Sequence, residues 1–310
     1  MQIAYSLEKI SKSLSPVILT IGSFDGVHLG HQAVLKHLAQ TAKEKKTTSA
    51  VLTFSNHPST VLRPHHPTPL LCTKEHKVLL LDQASIDLSI ILPFTKELSE
   101  QSAEQFLQRV REFLPFQTLI LGSDAHIGKN REGDRSTVTA LSTTLGFSLE
   151  YYPDHKKDGE RISSRRIREY IQQGELKQAK ALLGRAYSIF GAVLKGNGRG
   201  APLGFPTANI NINNLCLPPL GVYAVTLFEN GTAFQGVANL GFAPTIRPEG
   251  FPILEVHLFD AHIDLYGKMV DVYLHDFIRS EMKFENIEDL RNQISQDVIK
   301  AKQIHQANGI

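Results

Sequence analysis

A regular alternation of strand-like and helix-like segments across residues 17–183 is the feature that most constrains the fold. Five short runs rich in β-branched and other apolar residues predict strands, namely VILTIG (17–22), SAVLTF (49–54), IDLSIIL (86–92), QTLILG (117–122) and FSLEYY (147–152). The segments between them show helical spacing, as in the apolar stripe of Leu35, Leu38 and Ala42. The alternation is typical of an α/β fold, a parallel sheet covered by helices, whose ligands lie beyond the carboxyl ends of the strands.

The pattern changes after Gly184, which we predict to be the C-cap of a helix formed by ELKQAKALL. Strand-like runs then follow one another across Gly, Pro and Asn turns: YSIFGAVL, FPTANI, GVYAVTLF, TAFQGVANL, ILEVHLF and MVDVYL. They predict an all-β unit of about 100 residues, an antiparallel barrel or compact sheet, followed by an amphipathic helix over residues 287–303. A chain of 310 residues fits two domains, and we place them at 1–184 and 185–310.

The composition excludes several classes of protein. The 33 Lys and Arg residues nearly balance the 31 Asp and Glu residues, and a net charge of +2 does not indicate a nucleic-acid or membrane-surface binder. Cys72 and Cys216 are far apart, which excludes a disulfide framework and a CxxC metal site. The sequence has neither an apolar run of the roughly 18 residues that span a bilayer nor the apolar core of a signal peptide. We therefore expect a cytoplasmic protein, and the oligomeric state stays open.

The first candidate site is the turn GSFDGVHLGHQ (22–32), directly after the first predicted strand. A strand that turns into a helix through small residues exposes main-chain N–H groups at a positive helix end, which suits a phosphate. His28 and His31 are three residues apart and share one helical face, and Gly30 between them keeps that face open. The candidate phosphate ligands of this turn are Gly22, Ser23, Phe24, Asp25, Gly26 and Gly30. The alternative is a histidine pair that merely caps or packs the helix, but the position after a strand favours the phosphate site.

The second candidate element is RISSRRIRE (161–169), which follows the fifth predicted strand. Ser163 and Ser164 supply hydroxyls, and Arg165, Arg166 and Arg168 supply positive charge at a helix start, a combination that suits a phosphate chain. The alternative is an N-capped helix with a solvated basic face.

A glycine-rich run, LKGNGRGAPLGFPTANI (194–210), forms the third candidate site. Its glycines let main-chain amides approach a phosphate chain, and its basic side chains add charge; the candidates are Lys195, Gly196, Gly198, Arg199 and Gly200. Thr207 and Asn209 are two apart in extended chain, so their oxygens can meet one hard cation such as Mg²⁺. A hairpin loop followed by an ordinary polar-faced strand is the alternative.

The run ILEVHLF (253–259) alternates, with Glu255 on the face opposite Leu254 and Val256. A lone Glu in such a strand commonly faces water. Because a candidate phosphate loop belongs to the same small domain, Glu255 is a candidate base for a substrate hydroxyl.

The N-terminal half resembles a known family in these motifs. GSFDGVHLGH looks like the nucleotide-binding signature of the nucleotidyltransferase superfamily, and FDG before HxGH is similar to the FMN adenylyltransferase module of bacterial bifunctional riboflavin kinase/FAD synthetases. TFSNHP (53–58), LGSDAHIGKNREGD (121–134) and RISSRRIRE resemble further family segments in the same order. The resemblance implies a Rossmann-like nucleotidyltransferase domain.

The same resemblance implies roles for single residues. His28 and His31 would contact the ATP phosphates, and Asp124 would line the nucleotide or flavin pocket. Ser164, Arg165 and Arg168 would close over the phosphates.

Some positions depart from the family pattern. Ala125 and Ile127, with His126 between them, stand where the family has aromatic residues, and the loss of two aromatic faces predicts weaker or repositioned flavin packing. Asn56 replaces a proline, and Arg165 replaces a threonine.

The C-terminal half resembles riboflavin kinases over about residues 185–303, above all in GRGAPLGFPTANI and LEVHLFD. The resemblance implies a six-stranded barrel in which Thr207 and Asn209 serve Mg·ATP and Glu255 deprotonates the ribityl 5′-hydroxyl. Arg279 and Phe284 match the segment that covers the flavin. Ala243 departs from the family, which often has Arg there.

The two resemblances together predict a bifunctional enzyme that converts riboflavin to FMN and FMN to FAD, with ATP as co-substrate and Mg²⁺ as cofactor. One alternative is a riboflavin kinase whose adenylyltransferase domain is weak or inactive. The other is a non-catalytic flavin-binding regulator that contacts RNA through Arg165, Arg166 and Arg168, although the near-zero net charge argues against RNA.

Overall fold

The structure is a computed structural model, and it describes residues 1–10, 16–157, 159–196, 200–212, 214–242, 252–261 and 263–309. The chain forms two compact units. The first unit consists of Met1–Leu70 and Lys74–Ser164, and the second consists of Leu71–Thr73 and Arg165–Ile310.

The first unit is a six-stranded parallel sheet with helices between its strands. Its strands are β1 (Gln2–Ala4), β2 (Val17–Ile21), β3 (Thr48–Phe54), β4 (Leu88–Leu92), β5 (Phe116–Gly122) and β6 (Ser148–Tyr152). Its helices are α1 (Leu29–Lys45), α2 (Ser59–Leu62), α3 (Lys74–Gln83), α4 (Lys96–Ser99), α5 (Ala103–Phe113) and α6 (Arg135–Leu145). A separate short hairpin joins β7 (Lys156–Lys157) to β8 (Glu160–Arg161).

The strand order of this sheet is β1-β4-β3-β2-β5-β6, and all neighbours run parallel. The five strands predicted from sequence are confirmed, because strands buried on both faces appear as continuous apolar runs. The sequence analysis did not identify β1, which has three residues and pairs with β4 at the sheet edge. From β2 the chain proceeds first to one side of the sheet and later returns to the other side at β5. Such a reversal opens a crevice beyond the carboxyl ends of β2 and β5.

The second unit begins with α7, whose full extent is Ser164–Gln172, and α8 (Leu176–Leu183). Its strands are β9 (Ser188–Leu194), β10 (Ala208–Ile210), β11 (Gly221–Glu229), β12 (Thr232–Phe242), β13 (Pro252–Leu258) and β14 (Met269–Arg279). These strands form a closed antiparallel barrel in the order β10-β13-β12-β11-β14-β9. The predicted barrel is confirmed.

The compact units divide at Ser164, ahead of the boundary predicted near 184. The apolar face of α8, with Leu176, Ala179 and Leu183, is buried, and Lys177 forms a 3.4 Å ion pair with Asp276 of β14. The helix before the first barrel strand therefore packs with the barrel. Gly184 caps α8 in the left-handed region, with φ of 77°, as predicted.

The predicted terminal helix is confirmed as α9, which is longer than expected and covers Ile287–Asn308. The Asn286 side chain accepts a hydrogen bond from the main-chain N–H of Asp289 at its start. Ala301 of α9 is fully buried in a cluster with Val222 and Val237 of the barrel. None of the helices in the described part of the chain is long and apolar enough to cross a membrane.

Candidate active sites

A cavity of about 630 Å³ opens at the carboxyl ends of the parallel strands in the first unit. Ile21 of β2, Phe54 of β3, Gly122 of β5 and Tyr152 of β6 all contribute to its wall. The cavity therefore lies at the place where the strand order reverses, which is where open α/β sheets bind their ligands.

The turn that connects β2 to α1 has an unusual backbone. Phe24, Gly26 and Val27 all lie in the left-handed region, with φ of 45°, 76° and 37°. This conformation is unfavourable for a bulky residue and for a β-branched residue, so surrounding contacts must enforce it. Gly22, Ser23 and Phe24 line the cavity. Asp25 and Gly26, which belong to the same predicted phosphate-binding turn, are buried.

The two histidines of this turn lie together at the start of α1. His28 is the N-cap, and its Nδ1 accepts a hydrogen bond from the His31 main-chain N–H at 3.3 Å. The two imidazole rings are stacked, with centroids 3.6 Å apart and planes 15° apart. A Cβ at Gly30 would lie 3.2 Å from the His28 ring, so a side chain there would require that ring to shift by a few tenths of an ångström.

His31 has a buried ring nitrogen that a ligand could contact. Its Nδ1 is buried and has no hydrogen-bond partner among the described residues, which is costly unless a ligand supplies one. Burial, followed by the charges of His28 and Lys77, holds the pKa of His31 well below its usual value. His31 is therefore a neutral imidazole at neutral pH.

A buried lysine that the sequence analysis did not identify forms hydrogen bonds to the turn between β2 and α1. Lys77 of α3 is 5% exposed, and its Nζ donates to the main-chain oxygens of Ser23 at 2.7 Å and Phe54 at 2.8 Å. Its Nζ also lies 3.4 Å from Thr53 Oγ1, which itself donates to the Ser23 oxygen at 2.9 Å. The available sequence signal was that Lys77 shares a helical face with the buried Leu80 and Leu81.

Asp124 lies across the cavity from this turn in a small network of charges. Arg161 of β8 forms ion pairs with Asp124 and, through its Nε at 3.1 Å, with Asp154. Burial opposes ionisation of Asp124, but the hydrogen bond and charge of Arg161 outweigh it and lower the pKa of the carboxyl. The hairpin that carries Arg161 is thereby fastened beside the cavity.

The two serines of the predicted ISS motif line the cavity, and Ser164 is attached to the histidine turn. Ser164 Oγ donates to the main-chain oxygen of Asp25 at 3.1 Å. Arg165 is exposed and pairs with Glu169 at 3.0 Å, whereas Arg168 is only 8% exposed. Both arginines belong to the second unit, and their phosphate contacts stay a prediction.

The barrel brings a different set of polar residues together. Asn209 of β10 is the register partner of Glu255 of β13, which is in turn the register partner of Asn239 of β12. Directly opposed residues of antiparallel strands have their side chains on the same face, so these three side chains form one row. Asn209 is 4% exposed, and its Oδ1 has no hydrogen-bond partner within the described ranges.

Gly196 of the glycine-rich run packs directly on Asn209 of this row. A Cβ at Gly196 would lie 2.1 Å from Nδ2 of Asn209, and a Cβ at Gly200 would lie 2.2 Å from the Phe205 main-chain oxygen. These glycines permit approaches that a side chain would block. Lys195 is exposed beside them. Gly198, Arg199 and the departure Ala243 lie outside the described residues.

Arg279, a predicted flavin contact, is fastened to α9. Its Nε lies 2.9 Å from Oδ1 of Asp297 and its Nη2 lies 2.7 Å from Oδ2, and Asp297 is 4% exposed. The ring of Phe284 is centred 5.9 Å from the guanidinium carbon. The row residue Asn239 was not among the predicted site residues, because the alignment of β12 with β13 cannot be inferred from either segment alone.

Metal binding was predicted at Thr207 and Asn209. In the part of the chain that the structure describes, no group of three or more His, Cys, Asp and Glu side chains could hold a metal ion. The predicted ligands are instead a hydroxyl and an amide oxygen, donors of the kind that Mg²⁺ accepts when ATP phosphates complete its shell. The unpartnered Oδ1 of Asn209 fits this use.

Comparison with known proteins decides the family. The FAD synthetase family profile matches residues 10–166, and the riboflavin kinase profile matches residues 183–305. The bifunctional riboflavin kinase/FMN adenylyltransferase of Haemophilus influenzae is 40% identical over 97% of this chain and 98% of its own length. The protein of the same description from Bacillus subtilis is 38% identical over 93% of this chain and 92% of its own. The chain belongs to the bifunctional riboflavin kinase/FMN adenylyltransferase family.

A solved structure agrees in fold with this family member over nearly its full length. A crystal structure described as a macrolide-efflux protein from Streptococcus pneumoniae covers 95% of this chain and 96% of its own, with a TM-score of 0.80 and 26% identity. The resemblance inferred from the sequence motifs is confirmed.

The departures from the family motifs have local explanations in the structure. Ile127 is 6% exposed in the core of the sheet, and Ala125 packs against the same core. Both residues, like His126 between them, also line the cavity. Asn56 donates from Nδ2 to the Phe94 main-chain oxygen at 3.0 Å and accepts from the Phe94 N–H at 2.8 Å. The substituted positions thus serve packing and loop closure, and an effect on flavin packing stays a prediction.

Proposed function

We propose that this enzyme makes FMN and FAD at two separate sites, one in each unit. As a member of its family it is a transferase with riboflavin kinase and FMN adenylyltransferase activities. The kinase step is assigned to the row of Asn209 and Glu255 on the barrel, and the adenylyl step to the cavity of the first unit. The observation that carries the second assignment is the stacked His28–His31 pair, with an unpartnered buried Nδ1, on a cavity at the strand-order reversal.

In the adenylyl step, an oxygen of the FMN phosphate attacks the α-phosphorus of ATP. The new P–O bond replaces the bond from the α-phosphorus to the bridging oxygen, and pyrophosphate leaves with that electron pair. No protein nucleophile is needed. His28 and His31 donate hydrogen bonds to the nonbridging oxygens, whose charge rises in the transition state, and the amino end of α1 adds its dipole. Ser163 supplies a further hydroxyl from the cavity lining, and Ser164 holds the histidine turn through its bond to the Asp25 oxygen.

In the kinase step, Glu255 accepts the proton of the ribityl 5′-hydroxyl, and the hydroxyl oxygen attacks the γ-phosphorus of ATP. The bond from the γ-phosphorus to the bridging oxygen breaks, and ADP leaves. Gly196 and Gly200 allow main-chain approach to the phosphates, with Lys195 and Arg199 as positive charge. Arg279 and Phe284 cover the flavin.

Mg²⁺ is proposed as the cofactor that accompanies ATP. Thr207 and Asn209 would hold it through their side-chain oxygens, and when bound it offsets phosphate charge during transfer. The proposal is supported by the buried, unpartnered Oδ1 of Asn209. Riboflavin, FMN and ATP are the proposed partners, with no nucleic acid or membrane, and the cytoplasm, which contains all three, is the proposed location.

The test supplies purified protein with riboflavin and Mg·ATP and follows flavins by chromatography. FMN should appear first and FAD second. No flavin nucleotide at all would refute the proposal.

A second candidate is a riboflavin kinase with a feeble adenylyltransferase site. It is favoured by Ala125 and Ile127, which bring no aromatic face to the cavity at two positions where the family has aromatic residues. Supplying FMN directly separates the candidates, since a feeble site would leave FMN unconverted while riboflavin is still phosphorylated.

A further inference from the structure

We propose that Lys77 is a positioning residue for adenylyl transfer, which fastens the phosphate-binding turn and places a fixed, buried positive charge beside it. Lys77 does not line the cavity among the residues described there, so its role differs from that of a phosphate ligand. The inference rests on the assignment of adenylyl transfer to this cavity, and its first test needs no turnover.

The fastening follows from what the ammonium group contacts. Lys77 Nζ joins the main-chain oxygen of Ser23, after β2, to that of Phe54, at the end of β3. These two strands are neighbours in the sheet, and their carboxyl ends form the wall of the cavity. A charged donor on two carbonyl oxygens gives stronger bonds than a neutral donor would. Lys77 therefore holds Ser23 in place, directly before the left-handed residue Phe24.

The electrostatic effect follows from burial of the same charge. A buried ammonium is poorly screened, so its field reaches His31. The groups that act on His31 are the stacked His28 of its own turn and Lys77 of α3, in addition to burial itself. The charged or imidazole side chains that line the rest of the cavity are Asp124, His126, Arg131, Asp154, His155 and Arg161.

The arrangement has a consequence for catalysis. If His31 carried the positive charge itself, the site would gain and lose that charge with pH. With Lys77 in place, the positive charge is fixed in the scaffold, and His31 stays a neutral donor until a phosphate anion arrives. A preorganised charge of this kind needs no reorganisation when charge develops on the phosphate.

The decisive test is an NMR titration of the His31 imidazole, assigned with the His31→Asn variant. In the wild-type protein His31 should titrate well below pH 6.5. In Lys77→Met its pKa should rise, because one of the charges that lower it is removed while burial and His28 remain. Lys77→Arg keeps the charge and should leave the titration near that of the wild type. Lys74→Met removes a half-exposed lysine from the same helix and is the matched control.

A kinetic comparison accompanies the titration. Lys77→Met should lower kcat for FAD formation from added FMN by about tenfold through displacement of the turn, with KM for FMN changed less. FMN formation from riboflavin should stay within about twofold, because the barrel has its own site. Lys74→Met should match the wild type in both steps.

Two results would overturn the inference. One is a His31 titration in Lys77→Met that coincides with the wild-type curve, whatever the activity. The other needs no variant and covers the case in which Lys77→Met does not fold: the Lys77 ammonium protons of the wild-type protein should exchange slowly with water by ¹⁵N NMR. Exchange as fast as that of Lys74 would show that the ammonium is not held by the turn. If the wild-type protein forms no FAD, the assignment of adenylyl transfer to this cavity is wrong. The titration then still tests whether Lys77 acts on His31.

Discussion

The phosphate site of the first unit and that of the barrel are built in different ways. In the first unit, one contiguous segment carries the histidines, the glycine and the helix amino end, and long-range contacts from Lys77 and Ser164 only fix its shape. In the barrel, Asn209 and Glu255 come from strands far apart in sequence and meet through register alone. A site built from one contiguous segment depends on local backbone geometry. A site built from paired strands depends on the register of those strands in the barrel. Variants should therefore act on the two sites independently.

His31→Ala should produce the largest difference between the two activities. Loss of a donor to the developing phosphate charge should reduce FAD formation from FMN by roughly 100- to 1000-fold. FMN formation from riboflavin should be largely unchanged, because the barrel has its own site. Both rates are measured by chromatography on the same preparation. Equal loss of both activities in a well-folded variant would contradict the two-site arrangement.

Glu255→Gln should produce the opposite pattern. Removing the base should slow FMN formation by about 100-fold and leave conversion of added FMN to FAD unchanged. Asp260→Asn, which changes an exposed carboxylate shortly after β13, is the matched control and should retain kinase activity. If Glu255→Gln phosphorylates riboflavin at the wild-type rate, another group must accept the proton.

The difference between a contiguous site and a site built from paired strands also explains how much of each could be predicted from the sequence. The strand, the turn and the HxxH pair of the first site are adjacent in sequence, so local patterns predicted them. Lys77 is 54 positions from Ser23, and its helix alone gives no sign of which carbonyl oxygens it meets. Asn239 joins the row only through the pairing of β12 with β13. Both contacts depend on the tertiary fold, which a single sequence does not specify by pattern.

A smaller effect should come from the glycine that packs on Asn209. Gly196→Ala places a Cβ only 2.1 Å from Nδ2 of Asn209, so the amide group must move. Displacement of a ligand-holding group should reduce kinase kcat by about tenfold, with FAD formation from FMN unaffected. Gly267→Ala has φ of 74° but open space around the new Cβ, so it should lower stability without the loss of kinase activity. Equal kinase rates in the two variants would show that Asn209 is not needed in its present position.

The smallest expected effect concerns the way α9 is held on the barrel. His275 of β14 lies 2.8 Å from Thr226 Oγ1, and its ring centroid is 5.6 Å from that of His305, which is 1% exposed on α9. Burial, with the charges of His305 and Lys180 outweighing that of Asp276, lowers the pKa of His275 to about 4.

The pKa of His275 is lower in the folded state than the ordinary histidine value of 6.5. Below pH 6.5 the unfolded chain therefore binds this proton more readily than the folded chain does. Stability from neutral His275 is thus present above that value and is lost as the pH falls from about 6.5 towards 4, by up to about 3 kcal/mol in total. The urea midpoint of the barrel should fall between pH 7 and pH 5 in the wild type and fall less in His275→Asn. His65→Asn, an exposed histidine, should behave as the wild type does. An equal fall in His275→Asn and the wild type would show that acid destabilisation of the barrel comes from other groups.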